Sequence, residues 1–261
     1  MTDPILVSQD QGVLTLSFNR PDKKNAITDA MYGVLADSLI RAESDPAVRV
    51  VLFRSENEAF TAGNDLADFA AQNASGDTSR AMAQERNVTR FLKALARAEK
   101  PLVAAVKGVA VGVGTTMLLH CDLVYVASDA RLSTPFVNLA LVPEAASSWL
   151  MPARIGHARA YAMFALGEVV SGEEAARIGL ANRALPAAGV DDAALSAARQ
   201  ICTRPMGALK ITKRLMRDAD RIAGLMDLEG QHFGDQLKTA EAAEAFAAFA
   251  QRRAPDFSKV A

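Results

Sequence analysis

The chain has 261 residues, 50% of hydrophobic type and 23% charged, which excludes a disordered chain and allows one large domain or a domain with an appendage. Its 29 basic and 30 acidic residues leave a net charge of -1, so no global basic field draws it to nucleic acid or an anionic membrane. Two cysteines, neither in a CxxC pair, exclude a disulfide framework and point to a reducing compartment.

The opening MTDPILVSQD has an acid and a proline where a secretory leader needs positive charge and an apolar run. Pro101 to Leu119 is the longest apolar candidate for a membrane span, but Lys107, Gly108, Gly112 and Gly114 interrupt it. The final residues, Phe257 to Ala261, are not a peroxisomal address. The expectation is a cytoplasmic protein with no membrane partner.

In chain order, Ile5-Leu6-Val7 and the alternating Leu14, Leu16 and Phe18 predict two strands joined by a turn at Gln11-Gly12. Thr28 can cap a helix with Met31, Leu35 and Leu39 on one face. Val50 to Phe53 and Leu102 to Val106 are continuous apolar runs, as in strands buried on both faces. Between them lie the loop Ala59 to Leu66, a polar Gly/Ser-rich stretch from Asn73 to Ser79 expected to be mobile, and a helix from about Arg80 to Lys100. Gly108, Gly112 and Gly114 space a loop that feeds a short apolar helix ending near His120. Leu123 to Val126 and Arg131 to Ser133 are further strands. From Ala145 onward the pattern is nearly all helical, with a capping box at Ser171 to Glu174 closed by Gly179. The fold class is an α/β core with a helical C-terminal part, divided as residues 1–198 and 199–261; no internal repeat has a clear period.

Several sites can be set aside. The third glycine of a dinucleotide fingerprint would fall at Met117, and no Walker lysine follows. His120, His157 and His232 lack metal-ligand spacing, Ser147-Ser148 lacks a GxSxG context, and Cys121 and Cys202 sit among apolar residues. The Arg80–Lys100 segment carries Arg80, Arg86, Arg90, Lys93, Arg97 and Lys100 with Glu85 and Glu99 interspersed, which reads as a solvated face rather than an RNA comb. Two features stay two-sided. The Ala62-Gly63-Asn64-Asp65-Leu66 loop is either an Asx-stabilised turn or a place where the Asn64 N–H meets an oxyanion. Glu144 stands in an apolar stretch after Pro143, which suits a raised-pKa general base, although a first-turn helix glutamate is the commoner use of that position.

Together these segments resemble the crotonase (enoyl-CoA hydratase/isomerase) superfamily. The resemblance is carried by Asn19 to Ala26, Ala59 to Leu66, Lys100 to Gly114, Cys121-Asp122, Thr134-Pro135, Leu141-Val142-Pro143-Glu144, and Leu166-Gly167 through Ala176 to Gly179-Leu180. No single motif decides it; their order and spacing do. The resemblance implies a spiral of ββα units and a helical C-terminal trimerisation region, in trimers often paired into hexamers. It implies an acyl-CoA thioester substrate and an enolate held by the backbone N–H groups of Asn64 and Val113. It places the CoA moiety near Lys23, Lys24, Ala26, Ala62, Gly63, Asp65 and Leu66, and lines the acyl site with Pro135 and Phe136.

The hydratase carboxylates of that family fall here on Thr116 and Phe136, which cannot serve as acid or base. Glu144 falls where family isomerases place an acid after proline. The resemblance is therefore most like Δ3,Δ2-enoyl-CoA isomerases and makes Glu144 the expected catalytic residue, with no metal, nicotinamide or flavin required. Residues between Leu66 and Arg80 are expected to shape the acyl-tail pocket. Rival readings are a 1,2-epoxyphenylacetyl-CoA-type ring isomerase, a hydratase working through Glu144 alone, and a non-catalytic acyl-CoA- or RNA-binding homologue.

Overall fold

The computed structural model describes residues 3–68 and 86–260. The main sheet has six strands in the order β1-β2-β3-β4-β6-β9. Strands β1 (Ile5–Asp10) and β2 (Val13–Phe18) pair antiparallel, as their tight turn requires. Strands β3 (Val50–Ser55), β4 (Leu102–Val106), β6 (Leu123–Ala127) and β9 (Arg183–Leu185) then add in parallel. The continuous apolar runs occupy the centre: every residue of β4 is buried, because helices cover the sheet.

A second, smaller sheet, β5-β7-β8, is built from the segments that follow the main strands. After β4 comes β5 (Val109–Val111), and after β6 comes β7 (Arg131–Ser133), which pair in parallel. After β3, Thr61 bridges Ala110; after β2, Ile27 bridges Asn64. The same step therefore recurs: a long strand, a bend, a short strand in the second layer. This is the spiral of ββα units that the family resemblance implies, and it recurs in space without a periodic sequence.

Helix α1 (Asp29–Ser44) starts at Thr28, whose side chain accepts from the Met31 N–H, and buries Met31, Tyr32, Leu35 and Leu39 against the core. Helix α2 (Asn87–Arg97) packs on it. The start of that helix near Arg80, the stretch from Asn73 to Ser79 and most of the expected tail-pocket segment lie outside the described residues. Lys100 is not on a solvated face as expected. It is 4% exposed, and its ammonium donates to the Ala42 and Asp45 carbonyls. Arg90 and Lys93 pair with Asp37 and Asp227.

The glycine-spaced loop contains strand β5 and feeds helix α3 (Val113–Thr116), which tightens into a 3-10 turn, Met117–His120. Beyond it come α4 (Ser147–Ile155), α5 (His157–Ala165) and α6 (Gly172–Arg177), the last capped by Ser171 as its box predicts. The nearly all-helical reading beyond Ala145 misses two short strands, β8 (Val170–Ser171) and β9. Both are too short to carry a period-two pattern, and β9 closes the sheet edge. Helix α7 (Val190–Cys202) packs on the sheet and runs through position 198, so that division falls within a helix. Helices α8 (Met206–Met216), α9 (Ala219–Gln236) and α10 (Ala240–Ala250) complete the chain. Ile222 and Met226 of α9 join the hydrophobic core. No helix of the described residues is long and apolar enough to cross a membrane.

Candidate active site

Two loops meet where the layers bend. The Thr61 N–H donates to Val109, and the Val111 N–H donates to Thr61, so the 59–64 and 107–112 segments are zipped side by side. Gly63 has φ +86, and a Cβ there would lie 2.7 Å from the Val111 carbonyl oxygen. A side chain at Gly114 would lie 2.5 Å from the Thr61 methyl. Glycine is what lets the two backbones approach.

This approach sets two amides together. Gly63 O and the Asp65 N–H are spent on Ile27, but the Asn64 N–H has no partner among the described residues. Nor has the Val113 N–H, which stands at the first position of α3, where no intrahelical bond reaches it. Two free donors on adjacent glycine-shaped loops can hold a developing oxyanion. The Asn64 side chain is engaged separately: its Oδ1 accepts from the Tyr32 hydroxyl. Tyr32 is buried, and its burial first, then the nearby Glu144 and Asp29, push its phenol well above the usual range. It is therefore a neutral donor at physiological pH.

Glu144 is held by Thr116, which lies one turn along α3 from Val113 and whose hydroxyl donates to the Glu144 Oε1. Its residue is partly buried and partly accessible, as a group that meets a substrate must be. Burial raises its carboxyl to about 7; the Thr116 bond opposes the rise, and the Glu229 charge adds to it. Phe136 is 7% exposed, meets Phe164 in a tilted pair with centroids 6.2 Å apart, and its ring edge comes near Gly112.

The other expected contacts fall on one rim. The Ala62 N–H donates to the Lys24 carbonyl and the Ile27 N–H to Gly63, which lays Lys23, Lys24 and Ala26 beside the Ala62–Leu66 loop. Both lysines are exposed. Asp65 is spent internally: it pairs with Arg20 at 2.7 Å and accepts from the Ala67 and Asp68 amides. Burial raises its pKa, but those bonds win and hold the carboxyl below its ordinary value. Pro135 is partly buried next to Phe136. A separate cleft between β1 and α1, lined by Val7, Leu14, Ser38 and Arg41, shares none of these residues. No cluster of three or more metal-ligating side chains occurs among the described residues.

Three participants escape sequence reasoning. Tyr32 is one residue along from the apolar stripe of α1. Thr116 reads only as an absent acid, whereas it is the bond partner of Glu144. Glu229 is 85 residues beyond Glu144, in an ordinary amphipathic helix, and no local pattern marks it.

A family model described as enoyl-CoA hydratase/isomerase matches residues 8–260. The chain is 32% identical over 260 residues to the 1,2-epoxyphenylacetyl-CoA isomerase of Escherichia coli (strain K12), covering 99% of each. It is 34% identical over 218 residues to enoyl-CoA delta isomerase 2 of Rattus norvegicus, covering 83% of this chain and 55% of that protein. A solved enoyl-CoA hydratase/isomerase from Pseudoalteromonas atlantica T6c superposes with a TM-score of 0.91 at 40% identity, covering 98% of this chain and 100% of the other.

Proposed function

Because the chain belongs to the enoyl-CoA hydratase/isomerase family, we propose that it moves the double bond of a 3-enoyl-CoA to the 2-trans position with Glu144 as the single acid–base group. The observation that carries this reading is one carboxylate, with a pKa raised to about 7, beside two unpartnered amides. Adding water usually employs a second carboxylate, and the two positions that would supply one hold Thr116 and Phe136.

In the proposed reaction the ionised Glu144 takes a proton from C2 of the thioester. The electron pair delocalises onto the thioester oxygen and across the former C3–C4 double bond. The Asn64 and Val113 N–H groups hold the resulting dienolate oxygen. Glu144 returns the same proton to C4, the C2–C3 double bond forms, and the carboxylate is regenerated. The thioester would reach the site past the rim of Lys23, Lys24, Ala26 and Ala62 to Leu66, with Pro135 and Phe136 along the acyl group. This chemistry draws on no metal, nicotinamide or flavin.

The 32% identity to a 1,2-epoxyphenylacetyl-CoA isomerase over nearly the whole of both chains favours a second reading, isomerisation of a ring epoxide. The two separate in one assay. Purified protein is mixed with a 3-enoyl-CoA, and the conjugated 2-enoyl thioester is followed in the ultraviolet. Conversion by the parent, reduced roughly 100-fold or more in Glu144→Gln with acyl-CoA binding retained, supports the one-base isomerase. Binding without conversion supports the ring substrate.

A further inference from the structure

Glu144 is attached to a backbone turn that the chain does not adopt readily. Ala145 and Ala146 follow it with φ of 61 and 56, two consecutive residues with side chains in the left-handed region. Such a conformation persists only where the surroundings over-determine it. Here it is gripped from two sides. The Ala145 carbonyl accepts from His120 Nε2 at 2.8 Å. His120 Nδ1 in turn faces the Arg217 guanidinium, which can only donate, so His120 is neutral with its proton on Nε2. On the other side the Ala146 and Ser148 N–H groups donate to the two carboxylate oxygens of Glu229, at 2.5 and 2.9 Å.

Glu229 is 7% exposed and pairs with no cation among the described residues. A buried carboxylate without a counter-ion is costly, and burial raises its own pKa, but its two oxygens satisfy the Ala146 and Ser148 amides, which an apolar side chain would leave unpartnered. Glu229 thus caps α4, whose own N-cap residue, Ala146, has no side chain able to do so. Yet a cap drawn from a helix 81 residues away in sequence is an unusual device for that purpose alone. What distinguishes the place is that the capped turn carries Glu144.

We infer that Glu229 is a positioning residue for Glu144: from helix α9 it clamps the left-handed Ala145–Ala146 turn that aims the carboxylate, and it stations a negative charge behind it. This rests on Glu144 being the acid–base group. The groups facing Glu144 are the Thr116 hydroxyl from α3, the Tyr32 phenol from α1 and the Glu229 carboxylate from α9. Burial is the main reason Glu144 is hard to ionise; among these three groups, Glu229 is the one whose charge adds to that effect, while the Thr116 bond opposes it. The C-terminal helices thereby complete the site of their own chain.

The test is a titration that needs no substrate. Protein labelled with 13C-glutamate is titrated by infrared spectroscopy, and the Glu144 carboxyl band is identified by its loss in Glu144→Gln. In Glu229→Gln the midpoint is expected to fall by about half a unit to one unit, as removal of a like charge requires. With a turned-over substrate, kcat falls about tenfold and KM changes less than about twofold, because aim and not affinity is lost. Glu229→Asp keeps the charge on a shorter stem, so its midpoint stays within about 0.3 units while turnover drops. A folded Glu229→Gln with the parental midpoint overturns the inference. If Glu229→Gln does not fold, parental turnover in Glu229→Asp overturns it. The titration reads equally well whether or not 3-enoyl-CoA is the substrate, so failure of the isomerase reading is seen separately.

Discussion

Glu144 takes its proton affinity chiefly from burial, and this has consequences for both rate and stability. Its carboxyl titrates near 7, so the base form is lost as pH falls through that value. The rate constant should fall tenfold per unit below it, and a kcat profile measured from pH 5 to 9 checks this. Thr116→Val removes the bond that favours the charged form, so the acid limb should move to higher pH. The stability effect has the opposite direction. A carboxyl whose folded pKa lies above its unfolded value costs stability as pH rises from about 4.5 through 7, since the unfolded chain ionises first. Glu144→Gln should therefore match the parent near pH 4 and be more stable by about 1–2 kcal/mol at pH 8, discounted for partial solvent access. Urea melts at the two pH values check it. Glu144 stands out in the sequence as an isolated acid after a proline in an apolar run, but that pattern alone fits a helix glutamate better, and it is the family resemblance that makes it the expected catalytic residue. Glu229, Tyr32 and Thr116 do not stand out, because their contribution is created only when distant segments meet.

Among the elements, the two zipped loops carry the other half of the proposed chemistry. Their glycines are visible in the sequence, but spacing alone leaves a tight turn and a donor pair equally open. What supports the proposed donor pair is the parallel bridge from Thr61 to Ala110, a non-local pairing that sets the two loops side by side. Gly114→Ala would push a methyl to 2.5 Å from the Thr61 side chain. The forced shift should cost about 1–3 kcal/mol in stability, as overpacking does. It should lower kcat about tenfold or more, since donors aimed at an oxyanion tolerate little displacement, while the Glu144 titration stays in place. Thermal melts and the pH profile together separate this from damage to Glu144. The buried strands β3 and β4 are read directly from their apolar runs, and α1 from its cap and stripe. Strands β8 and β9 are not, because two or three residues fix no period and only the finished sheet edge holds them.

For the whole molecule, the C-terminal helices bear on two questions. They contribute Glu229 to the site, and they leave large apolar side chains outside: Leu215 and Met216 are each 82% exposed, and Phe249 is 60% exposed. Large apolar side chains left outside on these helices are suited to a neighbouring subunit. A homotrimer or a pair of trimers is the proposed assembly, and sedimentation at micromolar concentration is expected to show one of them; a monomer would contradict it. Leu215→Glu with Met216→Glu should shift the protein towards smaller species.

The most direct measurement follows 3-enoyl-CoA in the ultraviolet with the parent and with Glu144→Gln, at pH 8, where the carboxyl is ionised. The account predicts rapid appearance of the conjugated 2-enoyl thioester with the parent and a loss of roughly 100-fold or more in the variant. Equal rates in the two proteins would contradict it, because the base would then be another group.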